Sequence, residues 1–175
     1  MLLVALLVLA ADITSKIIVV ANLYEGQKVP LIPGVLTLTL YRNPGAAFGI
    51  GASLTVVYSV IAVGVVVFIL RAASRIRSVP WAVTFGLVLG GAAGNLTDRV
   101  FRSPGPLRGW VVDWIELPHW PTFNLADSAL VCGIALGLLL AVLGVRIEGT
   151  RVERTAPGSG APDGAPGGAP GGGRG

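Results

Sequence analysis

Charged side chains are scarce in this sequence. Asp, Glu, Lys and Arg make up 13% of its 175 residues, while 53% are hydrophobic. Soluble globular domains carry about 25% charged residues. The mean hydropathy is +0.77, so the long uncharged stretches have to face lipid rather than water. The composition therefore predicts a membrane protein with one membrane domain.

Histidine and cysteine occur once each, as His119 and Cys132. A single cysteine excludes an intrachain disulfide, and its position inside an apolar run predicts an inert core residue. A single histidine excludes a His-rich metal site and a HExxH zinc protease. The sequence also lacks a basic stripe with interleaved aromatic residues, so that nothing in it indicates a nucleic-acid partner.

Four apolar segments each approach the ~20 residues that an α-helix needs to cross about 30 Å of hydrocarbon. Their predicted bounds are residues 2–20, 54–70, 81–96 and 125–145. The second is rich in Val and Ile, but an isolated strand in lipid would leave its backbone unpaired, which decides for a helix. The first lacks a basic N-terminal region and contains Asp12 and Lys16, which argues against a cleaved signal peptide.

Arginine placement predicts the orientation of these helices in the membrane. Arg71, Arg75 and Arg77 lie between the second and third segments, and the stretch directly after the fourth carries Arg146, Arg151 and Arg154. Both groups fall on one side of a four-helix protein. That side and both chain ends are therefore predicted to be cytoplasmic.

The outer connections predict additional structure. Residues 36–40 alternate apolar and polar side chains, which is typical of a half-buried strand. Residues 104–121 mix tryptophan with charge and are predicted to lie along the surface as a helix or loop. Residues 151–175 are rich in Gly and Pro and are expected to form a disordered cytoplasmic tail. The sequence thus predicts an all-α membrane domain of four transmembrane helices in residues 1–150, with a small extracytoplasmic β-strand region.

Four aspartates lie in or beside the apolar segments: Asp12, Asp98, Asp113 and Asp127. An ionised side chain at bilayer depth costs roughly 2.5–3.5 kcal/mol, so such carboxylates usually pair or serve a function. In the predicted topology all four fall in the outer half or at the outer edge of the membrane. Asp12 is placed to pair with Lys16 at the i, i+4 spacing. The convergence of the four predicts a polar site on that side.

Two asparagines precede aspartates by three residues. Asn95 and Asp98 close the third predicted helix. Asn124 and Asp127 open the fourth. This spacing places the two side chains on one helical face, where the amide can donate to a carboxylate or to a substrate carbonyl. Arg99 follows Asp98 and allows a buried ion pair. Asn124 is alternatively a helix N-cap, which would also make a rigid support for a catalytic group.

Other hydrolytic mechanisms lack suitable residues. Ser–His–Asp chemistry would need His119, in a predicted surface loop, and no Gly-x-Ser-x-Gly sequence is present. A Ser–Lys dyad would have only Lys16 and Lys28 as bases, and Ser15 points away from its neighbour Lys16 on a helix. Carboxylates remain, and two of them sharing one proton can hydrolyse a peptide bond without a metal.

The helix N-terminus favours a negative charge on Asp127. Asp127 is therefore predicted to be the general base and Asp113 the proton carrier.

Five blocks resemble, in the same order, the motifs of the lipoprotein signal peptidase (signal peptidase II) family. They are Asp-x-x-x-Lys at residues 12–16, Asn-x-Gly-Ala-Ala-Phe at 43–48, Gly-Asn-x-x-Asp-Arg at 94–99, Val-Val-Asp-Trp at 111–114 and Phe-Asn-Leu-Ala-Asp-Ser at 123–128. Trp114 stands where the family more often has Phe, and Ile13 where Gln is common. Both substitutions keep the neighbouring acidic residue.

The resemblance implies a membrane-embedded aspartic endopeptidase with a catalytic dyad of Asp113 and Asp127. It also implies a substrate-binding shell of Asn43, Asn95, Asp98, Arg99 and Asn124, supported by Asp12 and Lys16. The implied substrate is a prolipoprotein with diacylglyceryl on a cysteine, cut before that cysteine. No metal or organic cofactor is implied. The implied site faces outward from the bacterial cytoplasmic membrane, globomycin-type cyclic peptides are implied inhibitors, and a monomer is expected.

Two other interpretations are open to test. A small transporter or channel with intramembrane carboxylates would carry acidic residues through the depth of the bundle, whereas here they crowd toward one side. A non-enzymatic scaffold of packed helices would tolerate Asp113→Asn and Asp127→Asn. Cleavage of a lipidated precursor by the wild type and by each Asn variant distinguishes all three.

Overall fold

The computed structural model describes residues 1–45 and 55–148 of the chain. Its four long helices are α1 (Leu2–Asn22), α2 (Thr55–Ala72), α3 (Val79–Phe101) and α4 (Leu125–Val142). Each has the length and composition of a membrane span, which confirms the four predicted helices. α3 differs most from its predicted bounds, because it continues past residue 96 to Phe101. The predicted helix start at residue 54 and the predicted tail lie outside the described residues.

α3 packs against each of the other three helices. Glycines permit this close approach. A Cβ added at Gly86 would lie 2.7 Å from the Cβ of Val4, and one at Gly90 would lie 2.7 Å from the backbone oxygen of Ala5. At Gly91, which faces α4, the nearest atom would be only 2.5 Å away. Such small-residue contacts are a common way for membrane helices to pack.

A three-stranded antiparallel sheet covers one end of the bundle. Its strands are β1 (Lys28–Ile32), β2 (Leu36–Asn43) and β3 (Val111–Glu116), in the order β1-β2-β3. The strand predicted over residues 36–40 is confirmed and extends to Asn43. In the middle of the β2–β3 pair, Tyr41 lies opposite Asp113.

The prediction that residues 104–121 lie along the surface is wrong for β3. Val111, Val112 and Asp113 are buried. Val112 packs with Val19 of α1 and Leu40 of β2, so that the strand forms part of the core. No part of residues 104–121 is helical, and the surface segment consists of the loops on either side of β3. Consecutive valines before an aspartate gave no clear period-two alternation, which is why sequence reasoning missed the strand.

The helices expose many apolar side chains on their outer faces, as expected where lipid replaces water. Cys132 on α4 is exposed, beside the exposed Val131, so the prediction of a core cysteine is wrong. Periodicity is a weak guide here, because a membrane helix is apolar on its buried and on its lipid-facing side alike.

Candidate active site

Asp113 and Asp127 come together around the side chain of Asn124. The Asn124 Nδ2 donates a hydrogen bond to Asp113 Oδ1 at 2.6 Å. Its Oδ1 accepts from the backbone N–H of Asp127 at 3.0 Å, while Asp127 Oδ2 accepts from the Asn124 backbone N–H at 3.2 Å. A strand residue and a helix residue, fourteen positions apart, are thus held by one buried amide.

Asn124 is both a helix cap and a part of the site. The reciprocal bonds with Asp127 form a capping box at the start of α4. Such a box satisfies backbone N–H groups that the first helical turn leaves unpaired. The N-cap interpretation of the sequence is therefore confirmed. The cap uses the side-chain oxygen and the backbone N–H of Asn124, which leaves the side-chain Nδ2 to donate to Asp113, so that capping does not compete with a role in the site.

Two further asparagines donate to the same carboxylates. Asn95 Nδ2 donates to Asp127 Oδ1 at 2.7 Å, and Asn43 Nδ2 donates to Asp113 Oδ2 at 2.9 Å. Asn124 also donates to Asn95 Oδ1 at 3.2 Å. Each carboxylate therefore accepts two hydrogen bonds from fixed partners. The predicted pairing of Asn124 with Asp127 is confirmed, whereas Asn95 donates to Asp127 of α4 instead of pairing with Asp98 of its own helix.

Burial gives the two carboxyl groups different environments. Asp113 is 1% exposed, whereas Asp127 is half-buried. Burial, and then the nearby charge of Asp127, raise the pKa of Asp113 to about 7, against the opposing effect of the hydrogen bonds from Asn43 and Asn124. Desolvation disfavours the ionised carboxylate, so Asp113 carries a proton at neutral pH far more often than an ordinary aspartate.

Lys16 is the centre of a buried charge cluster behind the dyad. Its Nζ lies 2.7 Å from Asp12 Oδ2, 2.9 Å from Asp98 Oδ2 and 3.2 Å from Asn95 Oδ1. The Lys16 side chain is 1% exposed. The predicted Asp12–Lys16 pair is confirmed, and Lys16 also reaches the asparagine that holds Asp127.

The predicted ion pair between Asp98 and Arg99 is wrong. Asp98 pairs instead with Lys16 and with Arg102. Adjacent residues of a helix point about 100° apart, so Arg99 cannot turn back to the carboxylate before it, whereas Arg102 lies one turn further on the same face. Sequence reasoning missed Arg102, although its i, i+4 spacing from Asp98 was a usable signal.

Asp12 and Asp98 also bind the backbone beside the dyad. Asp12 Oδ1 accepts from the N–H of Ala126 at 3.0 Å, and Asp98 Oδ2 accepts from the N–H of Val112 at 3.1 Å. Ala126 directly precedes Asp127 and Val112 directly precedes Asp113. The two aspartates of α1 and α3 thereby set the backbone position of both dyad residues.

Arg99 binds backbone carbonyl groups of two loops. Its guanidinium donates to the oxygens of Pro44 and Gly109 through Nη1, at 3.3 and 3.2 Å, and to that of Gly45 through Nη2 at 2.7 Å. It therefore fixes the chain just after Asn43 and just before β3. Residues 46–48 of the predicted Asn43 motif lie outside the described residues.

In the described ranges 1–45 and 55–148, no three His, Cys, Asp or Glu side chains are grouped so that they could hold a metal ion. What the arrangement offers is a pair of carboxyl groups in different environments, with fixed amide donors on both. Two such groups can catalyse hydrolysis by water, one acting as a general base and the other as a general acid.

Comparison with known proteins also indicates a peptidase. The family described as signal peptidase (SPase) II matches residues 4–143. The chain belongs to the signal peptidase II family. It is 47% identical over 148 residues to the lipoprotein signal peptidase of Rhodococcus jostii, covering 85% of this chain and 75% of that protein. With the Mycobacterium avium lipoprotein signal peptidase it shares 50% identity over 141 residues, covering 81% and 78%.

Two solved structures share the fold. A bacterial membrane enzyme determined in meso at 2.3 Å resolution matches with a TM-score of 0.73 and 29% identity, over 80% of this chain and 85% of that one. Another, at 1.9 Å, matches with a TM-score of 0.69 and 31% identity, over 81% and 90%. These comparisons confirm the resemblance that was drawn from the five motifs, together with the aspartic peptidase activity. The four membrane-length helices confirm the predicted membrane fold.

Proposed function

We propose that this chain cuts diacylglyceryl-modified prolipoproteins just before the lipidated cysteine, with Asp113 and Asp127 as its catalytic dyad. The observation that carries the assignment is the single buried residue Asn124, whose side-chain amide donates to the Asp113 carboxylate and whose backbone N–H donates to the Asp127 carboxylate. A shared anchor of this kind keeps the two acids at a fixed separation. At a fixed separation, one acid can activate a water molecule while the other polarises the scissile carbonyl group.

Asp113 is the proton carrier in this mechanism, because its pKa is raised to about 7. Asp127, the more exposed acid at the mouth of α4, takes the proton from the attacking water. Asp113 donates its proton to the scissile carbonyl oxygen, giving a neutral tetrahedral diol. Collapse of the diol returns the hydroxyl proton to Asp113, and the proton on Asp127 passes to the departing nitrogen.

The neighbouring residues position these two acids. Asn43, Asn95 and Asn124 donate hydrogen bonds to the carboxylates. The buried cluster of Asp12, Lys16 and Asp98 holds the backbone next to them, and Arg99 holds the two neighbouring loops. In this assignment Arg99 and Asp98 act through the backbone, and substrate contacts fall to the asparagines.

The location of the site suits a lipid-anchored substrate. The dyad lies where the sheet meets the bundle, with Asp113 on β3 and Asp127 in the first turn of α4. A precursor held in the bilayer by acyl chains and a signal helix reaches such a site by lateral diffusion. We assign this end to the outer face and the arginine-rich end, with both chain termini, to the cytoplasm. Cyclic peptides of the globomycin type would inhibit by occupying the same dyad, and the enzyme would act as a monomer.

The sheet and the tryptophan-containing loop after it are placed to cover the scissile bond. β2 and β3 carry Asn43 and Asp113, and the loop carries the exposed Trp120. Shortening either the segment that carries β1 and β2 or the loop that carries Trp120 is expected to lower turnover while leaving the helices folded. Full turnover after such a deletion would refute the covering role.

The direct test is cleavage of a purified diacylglyceryl-modified prolipoprotein in detergent or lipid discs. Wild type is expected to release the signal peptide, and Asp113→Asn and Asp127→Asn to lose at least roughly 100-fold in rate while remaining folded. Glu25→Gln is the matched control and should cleave normally, because Glu25 is an exposed carboxylate that pairs with Arg42 and not with the dyad. A folded wild type that cleaves nothing, or an active Asn variant, would contradict the proposal.

A further inference from the structure

A cavity of about 400 Å³ lies at the end of the bundle opposite the dyad. α2 begins beside the site, where Ser59 Oγ donates to the backbone oxygen of Leu107 at 2.7 Å. The helix has 18 residues and therefore carries the chain about 27 Å across the bundle. The cavity opens where α2 ends, so that it is separate from the proposed peptidase site.

The walls of this cavity are apolar and held in place. Its apolar lining comes from α2, the α2–α3 connection, α3 and the segment after α4: Phe68, Ala72, Ile76, Phe85 and Ile147. The Ile147 oxygen accepts hydrogen bonds from the N–H groups of Arg77 and Ser78, at 3.1 and 2.9 Å. Trp81 Nε1 donates to the oxygen of Val145 at 2.8 Å, and the Trp81 ring stacks on Phe85 with centroids 5.5 Å apart. The segment after α4 is thus fastened onto the rim.

The charged residues that line the cavity are mostly basic. They are Arg71, Arg75 and Glu148, and all three are exposed. The ion pairs found between described residues involve neither arginine. Two guanidinium groups against one carboxylate leave a net positive rim, and guanidinium groups bind phosphate with paired hydrogen bonds.

We propose that this cavity binds an anionic phospholipid, with its phosphate on Arg71 and Arg75 and an acyl chain along the apolar wall. The position supports the choice, because the last turn of a membrane-spanning helix lies at headgroup level, where basic pockets between helices recognise anionic lipids. The apolar wall favours a ligand with a hydrocarbon chain over a free phosphate. The net positive rim favours an anionic headgroup over a zwitterionic one.

The test is native mass spectrometry of the full chain, delipidated in detergent and then titrated with single lipids. Phosphatidylglycerol is expected to bind in a one-to-one complex, and phosphatidylethanolamine with the same chains, glycerophosphoglycerol and inorganic phosphate to bind much more weakly. Arg71→Gln/Arg75→Gln should weaken phosphatidylglycerol binding roughly 30-fold, since each arginine near anionic headgroups contributes about a fivefold factor.

Arg77→Gln is the matched control. It removes one charge at the same end of the bundle, from an exposed residue that does not line the cavity, and should change binding less than twofold. The single variants Arg71→Gln and Arg75→Gln replace the double variant if it does not purify as a folded, active peptidase. The proposal would be overturned if phosphatidylethanolamine or inorganic phosphate bound as tightly as phosphatidylglycerol. It would also be overturned if the Arg71 and Arg75 variants bound phosphatidylglycerol as the wild type does, or if Arg77→Gln lost as much binding as they do. None of these outcomes depends on how the peptidase dyad works.

Discussion

The carboxylate of Asp98 accepts a hydrogen bond from the backbone N–H of Val112 at 3.1 Å, one residue before Asp113. Asp12 makes the equivalent bond to Ala126, one residue before Asp127. Lys16 lies between the two supporting carboxylates and contacts both. The relative position of the dyad residues is therefore set by three buried charges that do not belong to the dyad.

Removing the central cation should cost far more stability than removing an exposed one. Lys16→Met leaves two buried carboxylates without their shared partner, and breaking a buried pair in this way costs about 3–5 kcal/mol. Lys28→Met is the control, because its pair with Glu116 is largely exposed and should cost less than about 1 kcal/mol. Thermal unfolding followed by tryptophan fluorescence measures both. Similar losses in the two variants would argue against a supporting role for Lys16.

Two substitutions of Asn124 should separate its cap from its role in the site. Serine is as good an N-cap as asparagine, whereas alanine costs about 1 kcal/mol. Both variants lose the buried bond to Asp113, but Asn124→Ser keeps the cap and should therefore unfold at a higher temperature than Asn124→Ala. Neither side chain can donate to Asp113 as the amide does, so both variants should lose about 100-fold in cleavage rate through misplacement of the acid. Wild-type cleavage by Asn124→Ser would show that the amide serves only as a cap.

The raised pKa of Asp113 predicts a loss of activity at alkaline pH. Its pKa is about 7, and the proposed mechanism needs its protonated form. kcat/KM should therefore fall as pH rises through about 7. The hydrogen bond from Asn43 lowers the pKa of Asp113, so Asn43→Ala should raise that pKa and move the falling limb to higher pH.

The pH–rate profile between pH 5 and 9 checks this shift separately from any change in the maximal rate. Asn22→Ala is the control, since Asn22 is exposed and donates to the oxygen of Ile18 in its own helix. A limb that stays in place in Asn43→Ala, or moves to lower pH, would mean that Asp113 is not the group that must hold the proton.

A methyl group at Gly109 should disturb the support of the dyad. A Cβ there would lie 2.2 Å from the backbone oxygen of Asp98, whereas one at Gly64 meets nothing within 4 Å. Gly109→Ala should destabilise by about 1–3 kcal/mol through overpacking and slow cleavage, because the same loop binds Arg99. Gly64→Ala, in the middle of α2, should be neutral or slightly stabilising. Denaturation and cleavage assays compare the two, and an undisturbed Gly109→Ala would contradict the described packing.

Much of this arrangement was predictable because polar residues are conspicuous in an apolar chain. Four aspartates beside four apolar segments were expected to share one polar site, because lipid cannot solvate them. The i, i+4 spacing of Asp12 and Lys16 indicated the partner of Asp12 directly. The capping pattern from Asn124 to Asp127 was equally local. These features depend on residues within one helical turn of each other, where spacing alone determines which side chains meet.

Contacts between distant segments were less predictable. β3 was missed because two valines and an aspartate in a loop rich in tryptophan show no alternation, although its burial depends on Val19 and Leu40 far away in the sequence. Arg99 looked like a partner for Asp98 but binds the loops at Pro44 and Gly109 instead. Nothing local in the sequence says where an arginine will find carbonyl oxygens once two loops have folded over it.

The central claim is that Asp113 and Asp127 act as one catalytic unit. The most direct measurement is the single-turnover cleavage rate of a lipidated precursor by wild type, by Asp113→Asn, by Asp127→Asn and by the double variant. Residues that work as a unit give strongly non-additive losses. The double variant should therefore be hardly slower than either single one, whereas losses that multiply, or a single variant that keeps most of the wild-type rate, would contradict the account.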